Sequence, residues 1–317
     1  YLPQDANYDI FKRACEVSLD RGIITFEFLD SSFNKKFYSK NNYDTEVAYM
    51  GYRTRVMENM VDTSKEITPG RGILSVTSIN LPRIGIKNGT SLNGKANLNG
   101  FFQELEEKLD LVKDQLLERF EMQCSKKVYN FPFLLGQALW IDSEKLKETD
   151  NLKKVLKQGT MSIGFTGLAE CLKALTGKHH GESKEAQELG LKIISFMREK
   201  CDKYSEKYNL NFSLTATPSG NLSTDLIQMD QAIYGKIKNI TDKEIYTDSF
   251  QLPKGYKISA EKKIEIEAPY HKLTNGGHIT EINLPEDAIL SDFMKILEVM
   301  KKNDIGCCTI SKMKVDN

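Results

Sequence analysis

The stretch that decides the fold reads Asn211-Phe212-Ser213-Leu214-Thr215-Ala216-Thr217-Pro218-Ser219-Gly220-Asn221-Leu222-Ser223. Apolar and polar residues alternate over its first half, which is typical of a β-strand, and Pro218 fixes the backbone at the exit from that strand. Hydroxyl groups and glycine follow, and a helix is predicted to begin near Leu222. Because the backbone N–H groups at a helix start favour anions, the stretch predicts a phosphate-binding loop. An ordinary N-cap, with Ser219 or Ser223 satisfying the helix donors, is the alternative.

Helical and strand-like patterns alternate along the rest of the chain. At 317 residues it is long enough to bury a sizeable core, and residues 1–317 are expected to form one domain. Strands separated by long helices favour an α/β barrel or wound sheet over a helical bundle. The predicted helices cover residues 8–20, 100–124, 168–176, 183–208 and 291–301, and the predicted strands cover residues 23–29, 73–82, 160–165, 211–216 and 279–284.

Charge and cysteine content argue against several classes of protein. Lys plus Arg and Asp plus Glu both total 44, so the formal net charge is zero, whereas nucleic-acid binders carry a strongly basic face. No run approaches the roughly 20 apolar residues that span a bilayer, and no secretory leader opens the sequence. A cytoplasmic protein with no nucleic-acid or membrane partner is expected. The six cysteines form no Cys-x-x-Cys pair, so no metal site is predicted, and Cys15, Cys171 and Cys201 are expected in the core.

Three charged residues have competing interpretations. Arg53 and Arg55 are predicted to meet phosphate, and pairing with Glu46 or Glu58 on a solvated face is the alternative. Glu170 is predicted to be an exposed or helix-start carboxylate, which the helix dipole favours, rather than a substrate contact.

The four histidines fall in two places. His179 and His180 follow a predicted helix stop at Gly177 and are expected in a solvated turn. His271 and His278 flank a glycine turn. For His179 and His180 a metal site is not predicted, because no cysteine or carboxylate stands at ligand spacing. A metal site is likewise not predicted for His271 and His278.

Five motifs occur in a fixed order along the chain and together carry a family resemblance. They read Met50-Gly51-Tyr52-Arg53, Ser78-Ile79-Asn80-Leu81-Pro82-Arg83, Gly164-Phe165-Thr166-Gly167-Leu168-Ala169-Glu170, Thr217-Pro218-Ser219-Gly220-Asn221-Leu222, and Glu267-Ala268-Pro269-Tyr270 with Asn275-Gly276-Gly277. In this order they resemble the anaerobic (class III, oxygen-sensitive) ribonucleoside triphosphate reductases of the glycyl radical enzyme superfamily. The similarity runs over nearly the whole chain and corresponds to about the latter half of a family member.

The resemblance implies a fold, a reaction and a set of site residues. The fold is a ten-stranded α/β barrel with a finger loop along its axis, and the reaction reduces ribonucleoside triphosphates to deoxyribonucleotides for DNA synthesis through a thiyl radical. Tyr52 is expected at the tip of the finger loop, facing the turn near Pro218, and Asn80 is expected beside the ribose. The residues expected to hold the rest of the substrate are Arg53, Thr217, Pro218, Ser219, Gly220, Asn221, Leu222 and Ser223.

The resemblance also implies cofactors and partners. The family uses a glycyl radical, generated with S-adenosylmethionine by an iron-sulfur activase, and a structural zinc, and its members form homodimers. Residues 1–317 are expected to be the catalytic barrel core without the N-terminal ATP cone and without the C-terminal zinc and glycyl radical region. Neither cofactor site is therefore expected in these residues.

Two positions depart from the family pattern. The family motif is Met-Gly-Cys-Arg, and Tyr52 replaces its thiyl cysteine; a phenol O–H bond is weaker than a thiol S–H bond, so a tyrosyl radical is not expected to take a ribose hydrogen. Gly220 stands where many relatives have Glu. An enzyme represented by its barrel core and a disabled homologue or fragment that binds nucleotide as a regulatory partner both stay open. A pyruvate formate-lyase relative is ranked last, because it gives no reason for the Thr-Pro-Ser loop.

Overall fold

The computed structural model describes residues 3–90, 94–216, 218 and 220–313. These residues form two three-stranded sheets, with strand orders β2-β3-β4 and β1-β6-β5. The strands in chain order are β1 (Thr25–Glu27), β2 (Ile73–Asn80), β3 (Thr160–Thr166), β4 (Asn211–Thr215), β5 (Thr280–Leu284) and β6 (Cys307–Lys312).

Parallel pairing dominates both sheets. Strand β3 lies parallel to both β2 and β4, with Gly164 opposite Ser78 and Thr215. Strands β5 and β6 are parallel, and β1 is antiparallel to β6. The Ala216 N–H donates to the Gly277 carbonyl over 2.8 Å, and the Gly276 N–H donates to the Leu214 carbonyl over 2.8 Å. The segment leading into β5 therefore runs beside the end of β4 and joins the two sheets.

Helices alternate with the strands, as the apolar spacing predicts. In chain order they are α1 (Tyr8–Arg21), α2 (Ser32–Lys35), α3 (Leu81–Asn88), α4 (Leu98–Cys124), α5 (Lys153–Leu156), α6 (Leu168–Thr176), α7 (Lys184–Tyr208), α8 (Leu222–Tyr234), α9 (Ala260–His271) and α10 (Leu290–Lys302). Among them, no helix is both long and apolar enough to cross a bilayer.

The main core lies between the β2-β3-β4 sheet and the helices α4, α6 and α7. The predicted apolar stripe of α4 is buried, with Leu105, Leu109 and Leu116 fully so. A second cluster packs α1, α9 and α10 against β5 and β6. Cys15, Cys171 and Cys201 are fully buried, as predicted.

One local prediction was wrong, and two elements were not predicted. The strand expected to reach Pro82 ends at Asn80, and Pro82 instead lies in the first turn of α3, where its missing N–H leaves no bond unmade. Helix α9 was not predicted, because Pro269 lies inside it and proline usually ends a helix. Strand β6 was also not predicted, since its six residues give little periodic signal.

Candidate functional site

A hairpin between β1 and β2 faces the loop after β4 across a cavity of about 320 Å³. We call residues 49–55 the finger hairpin, because Tyr49 and Arg55 pair as antiparallel bridge partners at its root. Tyr52 from its tip and Pro218 and Leu222 from the loop line the same cavity. The two segments that the sequence analysis assigned to one site therefore lie together.

The sheet contributes small and polar groups to this cavity. Ser78, Gly164 and Thr215 line it from β2, β3 and β4. A Cβ atom at Gly164 would collide with Ser78 Oγ, so glycine at this position keeps the strand surface close to flat. The Thr215 hydroxyl donates to the Gly276 carbonyl over 3.3 Å. Val76 and Phe165 line it from β2 and β3 as well, so the floor combines apolar and hydroxyl groups, as ligand sites commonly do.

The tip of the finger hairpin has an unusual backbone. Tyr52 and Arg53 both have φ of 58°, in the left-handed region that costs a non-glycine residue about 1 kcal/mol or more. The Met50 N–H donates to the Thr54 carbonyl over 2.8 Å and the Arg55 N–H donates to the Gly276 carbonyl over 2.9 Å. These bonds hold the tight turn, which leaves the Tyr52 side chain 75% exposed.

The two arginines of the finger hairpin have different surroundings. Arg55 is 1% exposed, and its guanidinium donates to Glu58 over 2.9 Å and to Asn34 Oδ1 over 2.9 Å. The phosphate prediction was therefore wrong for Arg55. Glu58 is its partner, with the arginine buried and the glutamate 30% exposed. Burial acts to raise the pKa of Glu58, yet the charges of Arg55 and Arg198 hold it below its usual range. Arg53 does not line the cavity.

Asn80 caps helix α3 instead of lining the cavity. Its Oδ1 accepts the Arg83 N–H over 3.2 Å, and its Nδ2 donates to Asp230 over 2.8 Å. Asp230 is fully buried on α8 and also accepts Arg83 Nε over 2.6 Å and the Tyr246 hydroxyl over 2.8 Å. Burial, followed by the Asp230 charge, raises the pKa of Tyr246 above its usual range, so Tyr246 remains a donor. Sequence reasoning missed this network, because only the Asn-x-Pro helix start signals any part of it.

The predicted phosphate loop leads directly into α8. Thr217 and Ser219 lie outside the described residues. Gly220 is exposed with φ of 55°, and the Asn221 side chain makes no capping bond to the helix. Ser223 is fully buried, with its Oγ 3.2 Å from Thr166 Oγ1 and 3.4 Å from Asp248 Oδ1. The N-cap position of α8 is occupied by Asn221, and Ser223 lies inside the helix.

Lys243 and Thr247 cover the start of α6. Glu170 is fully buried and accepts bonds from Lys243 Nζ over 2.8 Å and from the Thr247 hydroxyl over 2.7 Å. The Gly167 N–H donates to the Thr247 carbonyl over 2.8 Å. The helix-start prediction for Glu170 is confirmed, and the exposure prediction was wrong because Lys243 neutralises the buried carboxylate.

The expectation of a solvated turn at His179 and His180 was wrong. Both are buried, and His180 Nε2 lies 2.8 Å from the Phe250 carbonyl. Burial lowers the pKa of His180 to about 3. His271 and His278 are fully buried beneath the finger hairpin, with ring centroids 4.3 Å apart.

A family model and two curated relatives agree on the family to which this chain is similar. Residues 1–315 match the family model described as "Anaerobic ribonucleoside-triphosphate reductase". The proteins of that name from Salmonella typhimurium and Enterobacteria phage T4 are 31% and 30% identical over 288 and 286 residues, covering 87% and 89% of this chain but 37% and 44% of their own length. The chain thus spans less than half the length of these curated relatives.

Solved structures agree with the predicted fold class. The anaerobic ribonucleotide reductase from Thermotoga maritima with glycerol in the active site has a TM-score of 0.63 at 16% identity, covering 98% of this chain and 45% of that one. A glycyl radical enzyme from Archaeoglobus fulgidus has a TM-score of 0.66 at 13% identity, covering 98% and 46%. The α/β barrel-type fold of this superfamily is confirmed, with the described strands forming part of such a barrel.

Proposed function

Because the chain belongs to the anaerobic ribonucleoside-triphosphate reductase family, we propose that the cavity between the finger hairpin and the loop after β4 binds a ribonucleoside triphosphate. The observation that carries the proposal is the shared lining by Tyr52, Pro218 and Leu222. In this arrangement the phosphates lie at the start of α8, where backbone N–H groups and the helix dipole favour anions. The sugar lies over Ser78 and Gly164, toward Tyr52.

The proposed parent reaction is reduction of the ribose for DNA replication. The family resemblance assigns removal of the ribose 3′ hydrogen to a thiyl radical at the position of Tyr52, and the electrons to formate or a thiol. A phenol at this position does not fit that step, because its O–H bond is weaker than the S–H bond of a thiol, so that abstraction of a ribose hydrogen by a tyrosyl radical is uphill. We therefore propose that residues 1–317 bind the nucleotide but do not turn it over, and that they act as a nucleotide-binding or regulatory partner.

The same proposal covers the cofactor sites and partners that the family resemblance implies. The Arg-Val-x-Gly-Tyr sequence that carries the glycyl radical does not occur in the 317 residues. The ATP cone, the zinc site, the glycyl radical, the radical S-adenosylmethionine activase and the homodimer partner would be contributed by polypeptide other than residues 1–317. Arg53, Asn80 and residues 217–223 stay predictions as substrate contacts.

Calorimetric titration with each of the four ribonucleoside triphosphates tests binding. Leu222→Glu places a carboxylate at the proposed phosphate position and is expected to weaken binding about fivefold or more, because an added like charge costs about 1 kcal/mol or more at contact distance. Leu139→Glu is the matched control, since Leu139 is similarly exposed, at 47% against 38% for Leu222, and lies outside the cavity. Equal affinities of the two variants would refute the assignment of the phosphates.

Anaerobic assays of deoxynucleotide formation test the absence of turnover. Wild type and Tyr52→Cys are both expected to give no product with activase and formate or thiol, because the thiol alone has no radical source. Product from the wild type would overturn the proposal. Product from Tyr52→Cys alone would show that a glycyl radical is supplied in trans.

A further inference from the structure

The root of the finger hairpin makes a buried contact that the proposed reaction does not use. The Tyr49 hydroxyl lies 2.7 Å from Nε2 of His278, and the two rings meet edge to face at 5.3 Å. His278 is fully buried. Tyr49 and His278 are 229 positions apart in sequence, so the contact ties the hairpin directly to the turn before β5.

The surroundings determine which atom donates the proton. His278 Nδ1 lies 2.9 Å from the Thr274 carbonyl, and a carbonyl only accepts. Nδ1 therefore carries the proton, Nε2 presents a lone pair, and the Tyr49 hydroxyl donates to it. Burial lowers the pKa of His278 to about 3 and raises the pKa of Tyr49 above its usual range. Both partners are therefore neutral near pH 7, and the bond has one direction.

Two glycines leave the space that this contact needs. A Cβ atom at Gly306 would collide with both His278 Nε2 and the Tyr49 hydroxyl. A Cβ atom at Gly277 would collide with the Arg53 carbonyl and lie 2.8 Å from Thr54 Cα. The close approach of the hairpin to the turn before β5 therefore depends on missing side chains at both positions.

The two strands of the finger hairpin have separate anchors. The returning strand is held by Arg55, whose guanidinium donates to Asn34, Glu58 and the Asn275 carbonyl. The outgoing strand is held by Tyr49, through its hydroxyl on His278 and its N–H 3.3 Å from Glu27 Oε2. Tyr52 lies three residues beyond Tyr49, a reach of up to about 10 Å. A small tilt at the root therefore moves the tip within the cavity.

We propose that Tyr49 is a positioning residue, and that its hydrogen bond to His278 is a latch that sets how far the finger hairpin reaches into the cavity. The effect on the hairpin follows from the contacts alone. The effect on a ligand rests on the proposed nucleotide function, because it requires that the ligand lie against Tyr52.

Hydrogen exchange measured on wild type and Tyr49→Phe tests the latch. Peptides covering residues 49–56 are expected to exchange roughly tenfold faster in the variant, because the hydrogen bond between the hairpin and the buried Nε2 is lost. Peptides covering β3 are expected to exchange at the wild-type rate, whereas a merely structural role would accelerate both regions together. Tyr43→Phe is the matched control, since Tyr43 is 81% exposed and loses the same hydroxyl.

His278→Gln keeps the test decisive if Tyr49→Phe does not fold. The Gln oxygen can accept from Tyr49 in place of Nε2, so this variant is expected to exchange more slowly in residues 49–56 than His278→Leu. Equal exchange of the two His278 variants, or of Tyr49→Phe and Tyr43→Phe, would overturn the latch.

Measurements of nucleotide binding distinguish the proposed latch from the proposed function. Tyr49→Phe is expected to weaken nucleotide binding several-fold where the wild type binds. Absence of binding to the wild type would refute the proposed function and leave the exchange result intact. Unchanged affinity together with faster hairpin exchange would refute the positioning role.

Discussion

Replacing Asp230 by Asn removes the charge from the network that holds Asn80 at the end of β2. Arg83 Nε donates to Asp230 Oδ1, and Asn80 Nδ2 and the Tyr246 hydroxyl each donate to Oδ2. Asn offers one oxygen, so its amide nitrogen must face a donor on one side or the other. At least one charge-assisted hydrogen bond is lost, and a donor is left opposed by another donor.

The structure sets the expected magnitude. A buried charge-assisted bond contributes about 1.5–3 kcal/mol, and water reaches 34% of the Arg83 side chain, which reduces the loss. We expect the free energy of unfolding to fall by about 2 kcal/mol and the melting temperature by about 3 °C. Trp140 reports the transition, because it is the single tryptophan and is buried in the main core.

A matched variant shows whether burial is the cause. Asp242 is an exposed aspartate on the loop after α8, and Asp242→Asn is expected to change the free energy of unfolding by less than about 0.5 kcal/mol. A melting temperature for Asp230→Asn equal to that of Asp242→Asn would refute the reasoning from the network.

Two further predictions concern pH and the glycine turn. Burial lowers the pKa of His180 and of His278 to about 3 from an ordinary 6.5. Between pH 3 and pH 6.5 the unfolded chain therefore binds more protons than the folded chain. The free energy of unfolding is expected to fall as the pH drops from about 6.5 toward 3, by about 1.4 kcal/mol per pH unit for each histidine. Urea titrations at several pH values measure the dependence of the free energy of unfolding on pH. His180→Gln is expected to reduce this slope by the contribution of one histidine, and an unchanged slope would contradict the lowered pKa of His180. Gly277→Ala is expected to lower the free energy of unfolding by about 2 kcal/mol or more through its φ of 131° and its collision with the finger hairpin, whereas Gly51→Ala, with open space around it, is expected to be tolerated. Thermal unfolding of the two variants compares them, and equal melting temperatures would argue against the close approach.

The sequence by itself determined the elements whose signals are local. Helix α6 spans Leu168–Thr176 as predicted, because its apolar spacing and the stop at Gly177 lie within a few residues of each other. The strand, loop and helix order around Pro218 was equally readable, since alternation, a proline and a helix start follow one another directly. The ordered motifs also carried the family, because each motif is a short contiguous string.

Burial and pairing were decided only by the tertiary structure. Arg55 was expected to contact phosphate, and Glu170, His179 and His180 were expected to contact solvent. Each is instead buried, often against a remote partner, such as Lys243 for Glu170 and the Phe250 carbonyl for His180. The Asn80 side chain donates to Asp230, which is 150 positions away in sequence. A charged side chain can be buried only where a partner offsets its desolvation. That partner is brought into place by the packing of strands and helices, so no pattern in the neighbouring residues identifies it.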